Sequence, residues 1–184
     1  YIFLNSKDEA SVGWMVPNQR YSEETAYEQV PYTRGGGPGF RAPRGDGTNG
    51  NWPCHKPPWA SLMAINGNTG EIEWSVPLGI DNTMPEGKKN VGSSGAGGPI
   101  VTAGGLIFIG ATGDGQFRAF NSRTGEEVWA TPVPYNITAV PITYEGGDGR
   151  QYVAVVAARS AGFGGRRDPG EPRNEGLFVY ALPE

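Results

Sequence analysis

The sequence predicts an all-β fold of short antiparallel strands joined by tight turns, and three observations carry that reading. Glycine and proline supply 30 and 16 of the 184 residues, a density that would interrupt any long helix. Aromatic residues make up 11% of the chain, with five tryptophans, and the formal net charge is only -4. Chains that stay unfolded are usually poor in aromatics and strongly charged. Third, the chain repeats itself. Residues 62–79, LMAINGNTGEIEWSVPLG, align with residues 117–134, FRAFNSRTGEEVWATPVP. The two copies share Ala64/Ala119, Asn66/Asn121, Thr69/Thr124, Gly70/Gly125, Glu71/Glu126, Trp74/Trp129 and Pro77/Pro132 at a constant offset of 55. Self-similarity at a fixed period marks a repeated supersecondary unit.

Taken in order, residues 1–5 read as a strand. Residues 13–58 then break the pattern: 15 of these 46 residues are Gly or Pro, with GGGPGFRAPRGDG at the centre. A loop this long is either functional or disordered. It reads as a flexible insertion or as a cap over a site, with Trp14, Tyr21, Tyr27, Tyr32, Phe40 and Trp52 available for packing. Residues 62–66 and 117–121 alternate as half-buried strands do. Asn-x-x-Thr-Gly follows each as a turn, Asn accepting local backbone bonds and Gly free to take positive φ. Residues 71–76 and 126–131 return as strands carrying Trp74 and Trp129. Ahead of the second copy, residues 98–103 and 106–112 form two strands joined at Gly104-Gly105. Four strands in about 35 residues is the size of one propeller blade. Residues 139–144, 151–158 and 177–182 supply three strands of another.

The expected organisation is therefore a partial β-propeller of two to three four-stranded antiparallel blades. Residues 1–12 and 59–79 form an incomplete blade with the insertion at 13–58, residues 96–134 a complete blade, and residues 137–184 a final blade lacking its outer strand. Two or three blades cannot close a ring, because each buries its faces against neighbours. The missing strand is expected from the N-terminus of a longer parent. The start at Tyr1, inside an apolar run with no initiator Met, also reads as an excised or processed piece. Alone, such a piece should expose sheet edges.

Several classes are excluded. With 15 basic and 19 acidic residues there is no overall basic field for nucleic acid. Arg159, Arg166, Arg167 and Arg173 cluster, but Asp168, Glu171 and Glu175 are interleaved with them. No run of about 18 apolar residues exists to form a membrane helix. His55 is the only histidine, so neither a His-based metal cluster nor a Ser/His/Asp triad can be built from this chain alone. The carboxylates show no metal-ligand pattern, so no metal ligand is assigned. Cys54 has no partner for an internal disulfide; it could pair with a cysteine elsewhere or lie as a buried free thiol.

The motif A-x-N-x-x-T-G-E-x-x-W, at 64–74 and again at 119–129, resembles the tryptophan-docking repeat of the pyrroloquinoline quinone (PQQ) dehydrogenases, eight-bladed quinoprotein propellers. Residues 53–59, PCHKPPW, are similar to the PC-x-x-P-x-W segment of the membrane glucose dehydrogenase branch. Residues 97–104, GGPIVTAG, with 106–109, LIFI, then 141–144, PITY, 151–153, QYV, and 180–183, YALP, complete a collinear resemblance. It extends from residue 53 onward and corresponds to the C-terminal end of those enzymes.

The resemblance implies a fragment of a periplasmic PQQ-dependent dehydrogenase. The whole enzyme would oxidise an alcohol, sugar or polyol by hydride transfer to the quinone. It implies PQQ and Ca²⁺ as cofactors, both held mainly by the missing part of the parent, and a catalytic base upstream of Tyr1, so no catalytic residue falls in this chain. The remaining blades, a small alcohol or sugar, and a cytochrome or membrane quinone as electron acceptor are the implied partners. The fragment alone is expected to be inactive.

By resemblance Ala96, Gly97 and Gly98 open one inner strand at the cofactor, and Thr138 and Ala139 open the next. Small residues would let backbone approach a flat quinone; Gly97-Gly98 also reads simply as a turn. Relatives such as the methanol dehydrogenases carry Trp where this chain has Ala96. Asp114 aligns with an aspartate of the glucose dehydrogenase pattern, though Gly-Asp-Gly is also an ordinary strand connection. Arg159, Ser160 and Phe163 fall in a loop that borders the substrate entrance in the family, and equally read as a mobile polar loop. Glucose dehydrogenases have a His-containing sequence where this chain has Ser160-Ala161. Trp74 and Trp129 read as structural docking residues between blades. The rival reading is a non-catalytic propeller scaffold sharing the same repeat.

Overall fold

The duplicated turn is where sequence most directly becomes geometry. Asn66 N–H donates to the Glu71 carbonyl at 2.8 Å and Gly70 N–H to the Asn66 carbonyl at 2.8 Å; in the second copy the same bonds join Asn121 to Glu126 at 2.8 Å and Gly125 to Asn121 at 2.9 Å. The Asn side chains accept from Asn68 and Arg123 N–H, and the Thr hydroxyls from Glu71 and Glu126 N–H. Gly70 and Gly125 close the turns at φ +78° and +72°, a left-handed conformation that costs a residue with a Cβ roughly 1–2 kcal/mol.

The computed structural model describes residues 1–26, 29–39, 41–43, 51–93, 95–158 and 175–181. Fourteen strands run in chain order: β1 (Ile2–Lys7), β2 (Ser11–Pro17), β3 (Tyr32–Gly39), β4 (Arg41–Pro43), β5 (Asn51–Pro53), β6 (Ala60–Ile65), β7 (Ile72–Pro77), β8 (Ile100–Val101), β9 (Leu106–Ile109), β10 (Gln116–Asn121), β11 (Glu127–Pro132), β12 (Ile142–Glu145), β13 (Gln151–Ala157) and β14 (Gly176–Ala181). The described residues hold no α-helix, only a single 3₁₀ turn at Glu23–Thr25. All pairings are antiparallel, in sheets ordered β1-β6-β7, β8-β9-β10-β11 and β12-β13-β14, plus the two-stranded β2-β3 and β4-β5. The repeat reaches into the register: both hairpins bulge at the equivalent step, between Ala64/Ile65 and between Ala119/Phe120. Each Trp sits opposite an alanine, Trp74 across from Ala64 and Trp129 across from Ala119. The small partner leaves room for the indole on that face.

Two compact units result, residues 1–7 with 57–184, and residues 8–56. In the first, two apolar clusters lie on opposite faces of the four-stranded sheet. Ile107, Ile109 and Phe120 join Leu62 and Leu78, with Phe3, Trp74 and Val76 against them. Phe117 joins Val133, Ile137, Val153, Val155 and Ala157, with Phe108, Phe178 and Tyr180 packed on. Alternation along β9 and β10 sends successive side chains to the two clusters. The strands were expected to be half-buried, but β10 is buried on both faces, because sheets cover it from both sides.

Other expectations are corrected in detail. The strand expected over 98–103 shrinks to Ile100–Val101 and that over 106–112 to Leu106–Ile109. Pro99 has no N–H to give a ladder, and Gly97 takes φ +116°. The insertion is more than a loop: β2 and β3 pair over Ser11↔Gly39 to Pro17↔Tyr32. The Trp14 indole lies over the hairpin so closely that a Cβ on Gly35 would lie 2.5 Å from its Nε1, and any larger residue there would displace the exposed ring. Within this second unit His55 Nε2 hydrogen-bonds the Asp8 carbonyl at 2.9 Å. Cys54 is exposed, which removes the buried-thiol reading.

Candidate functional site: the rim at the end of β9

β9 ends at Ile109, and the chain that follows it gathers two other segments. A Cβ on Gly110 would lie 2.5 Å from Ile137, and one on Gly95 would lie 2.6 Å from the Ala111 carbonyl carbon and from Thr112 N. The residues that precede the two segments assigned by resemblance to the cofactor, Gly95 before 96–98 and Ile137 before 138–139, thus both abut residues 110–112, and a Cβ on Gly97 would lie 3.4 Å from the Ala111 Cβ. The two segments also meet each other: a Cβ on Gly97 would lie 3.3 Å from the Thr138 carbonyl oxygen, and one on Gly98 3.6 Å from Val140. Glycine at 95, 97 and 110 is what allows three backbones to converge here. Ala96 and Thr138 are exposed, and Gly97, Gly98 and Ala139 are half-buried. The rim is therefore small, accessible and uncharged, offering backbone groups and the Thr138 hydroxyl. Small side chains there leave the backbone open to close approach. No group of three His, Cys, Asp or Glu that could hold a metal occurs among the described residues.

Asp114 lies beneath the rim, and its carboxylate is committed. Oδ2 accepts from Ile80 N–H at 2.8 Å and from Arg118 Nη2 at 2.5 Å. Oδ1 accepts from the Thr112 hydroxyl at 2.6 Å, Arg118 Nη1 at 3.0 Å and Gln116 N–H at 3.2 Å. The Asp114 and Arg118 side chains are 2% and 3% exposed. Burial pushes the carboxyl upward, but hydrogen bonds from Arg118 and Thr112, the guanidinium charge and the Ile80 N–H outweigh it. The Asp114 carboxyl is held below its ordinary value. Arg118 Nε adds a 3.0 Å ion pair to Glu127. Asp114 is thus a bidentate, buried ion-pair partner of Arg118.

Sequence reasoning passed over Arg118 and Thr112. The available signal was a charged residue in the middle of an otherwise apolar strand, Phe117-Arg118-Ala119-Phe120, four residues after an aspartate. Buried arginine demands a carboxylate.

Trp74 spans two sheets. Its Nε1 donates to the Ser122 carbonyl at 3.2 Å, and its ring covers Gly125, where an added Cβ would lie 2.7 Å from Cε3. Trp129 meets Phe117 and Tyr180 edge-on, with centroids 5.9 and 5.3 Å apart, linking the second sheet to the third. Arg159, Ser160 and Phe163 lie outside the described residues.

The family model for the glucose/ethanol/alcohol dehydrogenase β-propeller domain of PQQ proteins matches residues 1–153. Among curated proteins, the chain is 40% identical over 137 residues to a quinate/shikimate dehydrogenase (quinone) of Acinetobacter baylyi, covering 71% of this chain and 16% of that one. It is 39% identical over 138 residues to a glycerol dehydrogenase large subunit of Gluconobacter thailandicus, covering 71% and 18%. It is 36% identical over 138 residues to the quinoprotein glucose dehydrogenase of Escherichia coli, covering 72% and 16%. The chain thus aligns with less than a fifth of the length of these relatives. Among solved structures, a europium-containing methanol dehydrogenase shares the fold, with a TM-score of 0.51 and 22% identity over 85% of this chain and 23% of that one.

Proposed function

Because the chain belongs to the PQQ-dependent glucose/ethanol/alcohol dehydrogenase β-propeller family, we propose that it forms part of the cofactor well of a periplasmic dehydrogenase that oxidises an alcohol, sugar or polyol. The observation that carries this reading is the convergence of residues 96–98 and 138–139 at the end of β9, with Gly97 against the Thr138 carbonyl. When bound, PQQ accepts hydride from the substrate carbon, chemistry no side chain here can supply. The chain's own contribution is placement. Gly97 and Gly98 would let a bound quinone lie close to backbone, and Thr138 would offer it a hydroxyl. Ile137, 1% exposed, with Val133 and Phe117, walls off water beneath that segment.

The catalytic base and Ca²⁺ ligands are assigned to other parts of a longer parent, and so is the route of electrons to a cytochrome or membrane quinone. Arg159, Ser160 and Phe163 are proposed at the substrate entrance. The test is reconstitution of the full-length protein with PQQ and Ca²⁺, followed by dye reduction across alcohols, sugars and polyols. Saturable PQQ binding and substrate-dependent reduction are expected. Absence of saturable PQQ binding overturns the reading in favour of a propeller scaffold.

A further inference from the structure

We propose that the buried Arg118–Asp114 pair is a positioning device for the cofactor rim, transmitting the order of β10 to residues 95–98 through the loop that precedes them; the cofactor end of this proposal rests on the PQQ reading above.

The linkage can be followed bond by bond. Arg118 belongs to β10, the strand buried on both faces, and fixes the Asp114 carboxylate through Nη1 and Nη2. That carboxylate accepts Ile80 N–H at 2.8 Å, capturing the first residues after β7. The captured segment then holds the approach to the rim. Gly92 N–H donates to the Gly79 carbonyl at 3.1 Å, and Ser93 N–H to the Leu78 carbonyl at 2.8 Å. Contact is tight on the other side too: a Cβ on Gly79 would lie 2.9 Å from Thr112 Cγ2 and 3.0 Å from Ser93 Cβ. Two residues past Ser93, Gly95 presses on Ala111 and Thr112, and Gly97 on Thr138. Thr112, 1% exposed, donates to Asp114 and accepts from Arg118 at 3.2 Å. It ties the pair directly to the backbone on which the rim rests.

A buried ion pair is a poor source of net stability, since an apolar replacement often does as well. It does fix geometry, because the guanidinium fork and the carboxylate accept only a narrow range of orientations. Here the fixed geometry is handed to a backbone N–H thirty-four residues earlier in the chain. Without the pair, the 78–80 segment loses its anchor, residues 92–93 lose the bonds that hold them to it, and Gly97 loses the support that sets its distance from Thr138.

The experiment uses the full-length protein and three variants: Asp114→Asn, the milder Thr112→Val, and Gly149→Ala as a strained control at the β12–β13 turn, where φ is +76° and a Cβ meets nothing within 4 Å. Hydrogen exchange of the PQQ-free protein is read by peptide, and PQQ affinity by fluorescence quenching. In Asp114→Asn, exchange in peptides covering 78–80 and 92–98 should rise about tenfold, and the PQQ dissociation constant by a similar factor, as expected for one lost charged hydrogen bond. Thr112→Val should shift both in the same direction and less, so the idea stays testable if Asp114→Asn folds poorly. Gly149→Ala should change neither. Wild-type PQQ binding tests the dehydrogenase reading separately. With that binding intact, unchanged exchange at 92–98 and unchanged affinity in both Asp114→Asn and Thr112→Val overturn the positioning role. Equal changes in Gly149→Ala also overturn it, because they would show only general loss of stability.

Discussion

Adding one methyl group at Gly125 and, separately, at Gly70 measures what the Trp74 indole contributes to joining two sheets. The glycines are equivalent members of the repeat, with φ of +72° and +78°, so alanine pays the same backbone strain at both, about 1 kcal/mol at the low end of the left-handed penalty. Their surroundings differ. A Cβ at Gly70 meets nothing within 4 Å, whereas one at Gly125 overlaps Trp74 Cε3 at 2.7 Å and Cδ2 at 3.0 Å. The ring must shift, and with it goes the hydrogen bond from Nε1 to the Ser122 carbonyl, worth about 1 kcal/mol. Imperfect repacking adds about 1 kcal/mol more. Gly125→Ala should therefore cost about 3 kcal/mol against about 1 for Gly70→Ala, or roughly 150-fold against 5-fold in local opening. Native-state hydrogen exchange reads this directly, because the turns 66–71 and 121–126 carry matching bonded amides. Equal acceleration in the two variants would refute the docking argument, leaving strain as the whole effect.

Other outcomes follow from the same geometry. The folded Asp114 carboxyl sits below its ordinary 3.8, so on acidification the unfolded chain takes up this proton first. The stabilisation is complete above about pH 4 and is lost as pH falls through the folded value; the acid limb of an unfolding titration should flatten in Asp114→Asn. Arg118→Met leaves a buried carboxylate unpaired and should cost about 3–5 kcal/mol by urea unfolding, with Arg118→Met/Asp114→Asn recovering part of it. Gly95→Ala places a Cβ 2.6 Å from the backbone of Ala111 and Thr112, where no side chain can yield. It should destabilise by about 1–3 kcal/mol or more and weaken PQQ binding, whereas Gly67→Ala, with open space around it, should do neither.

What was legible in the sequence was whatever depends on local chemistry. Asn, Thr and Gly at fixed spacing specify a turn by bonds within six residues, and the structure reproduces it twice to within about 0.1 Å. The pressing of the 96–98 segment on the 138 backbone was not legible from the residues alone, since a glycine states only that backbone approaches something. Resemblance placed both segments at one cofactor, and the geometry brings them together, but nothing in the sequence said that Ala111 lies against Gly95 and Gly97. The Asp114 network was ambiguous for a related reason. Gly-Asp-Gly makes a good turn whether or not an arginine lies underneath, and that arginine arrives from the next strand with its direction set by alternation. The pairing of β2 with β3 was hidden because glycine-rich strands carry almost no alternation to read.

The Trp74 contact also bears on how such a chain can be cut and rejoined. At this joint the first hairpin supplies the plug, Trp74, and the second the receptacle, the turn around Gly125. A replacement for the first hairpin need only keep an indole at that position, and a replacement for the second need only keep the glycine turn that receives it.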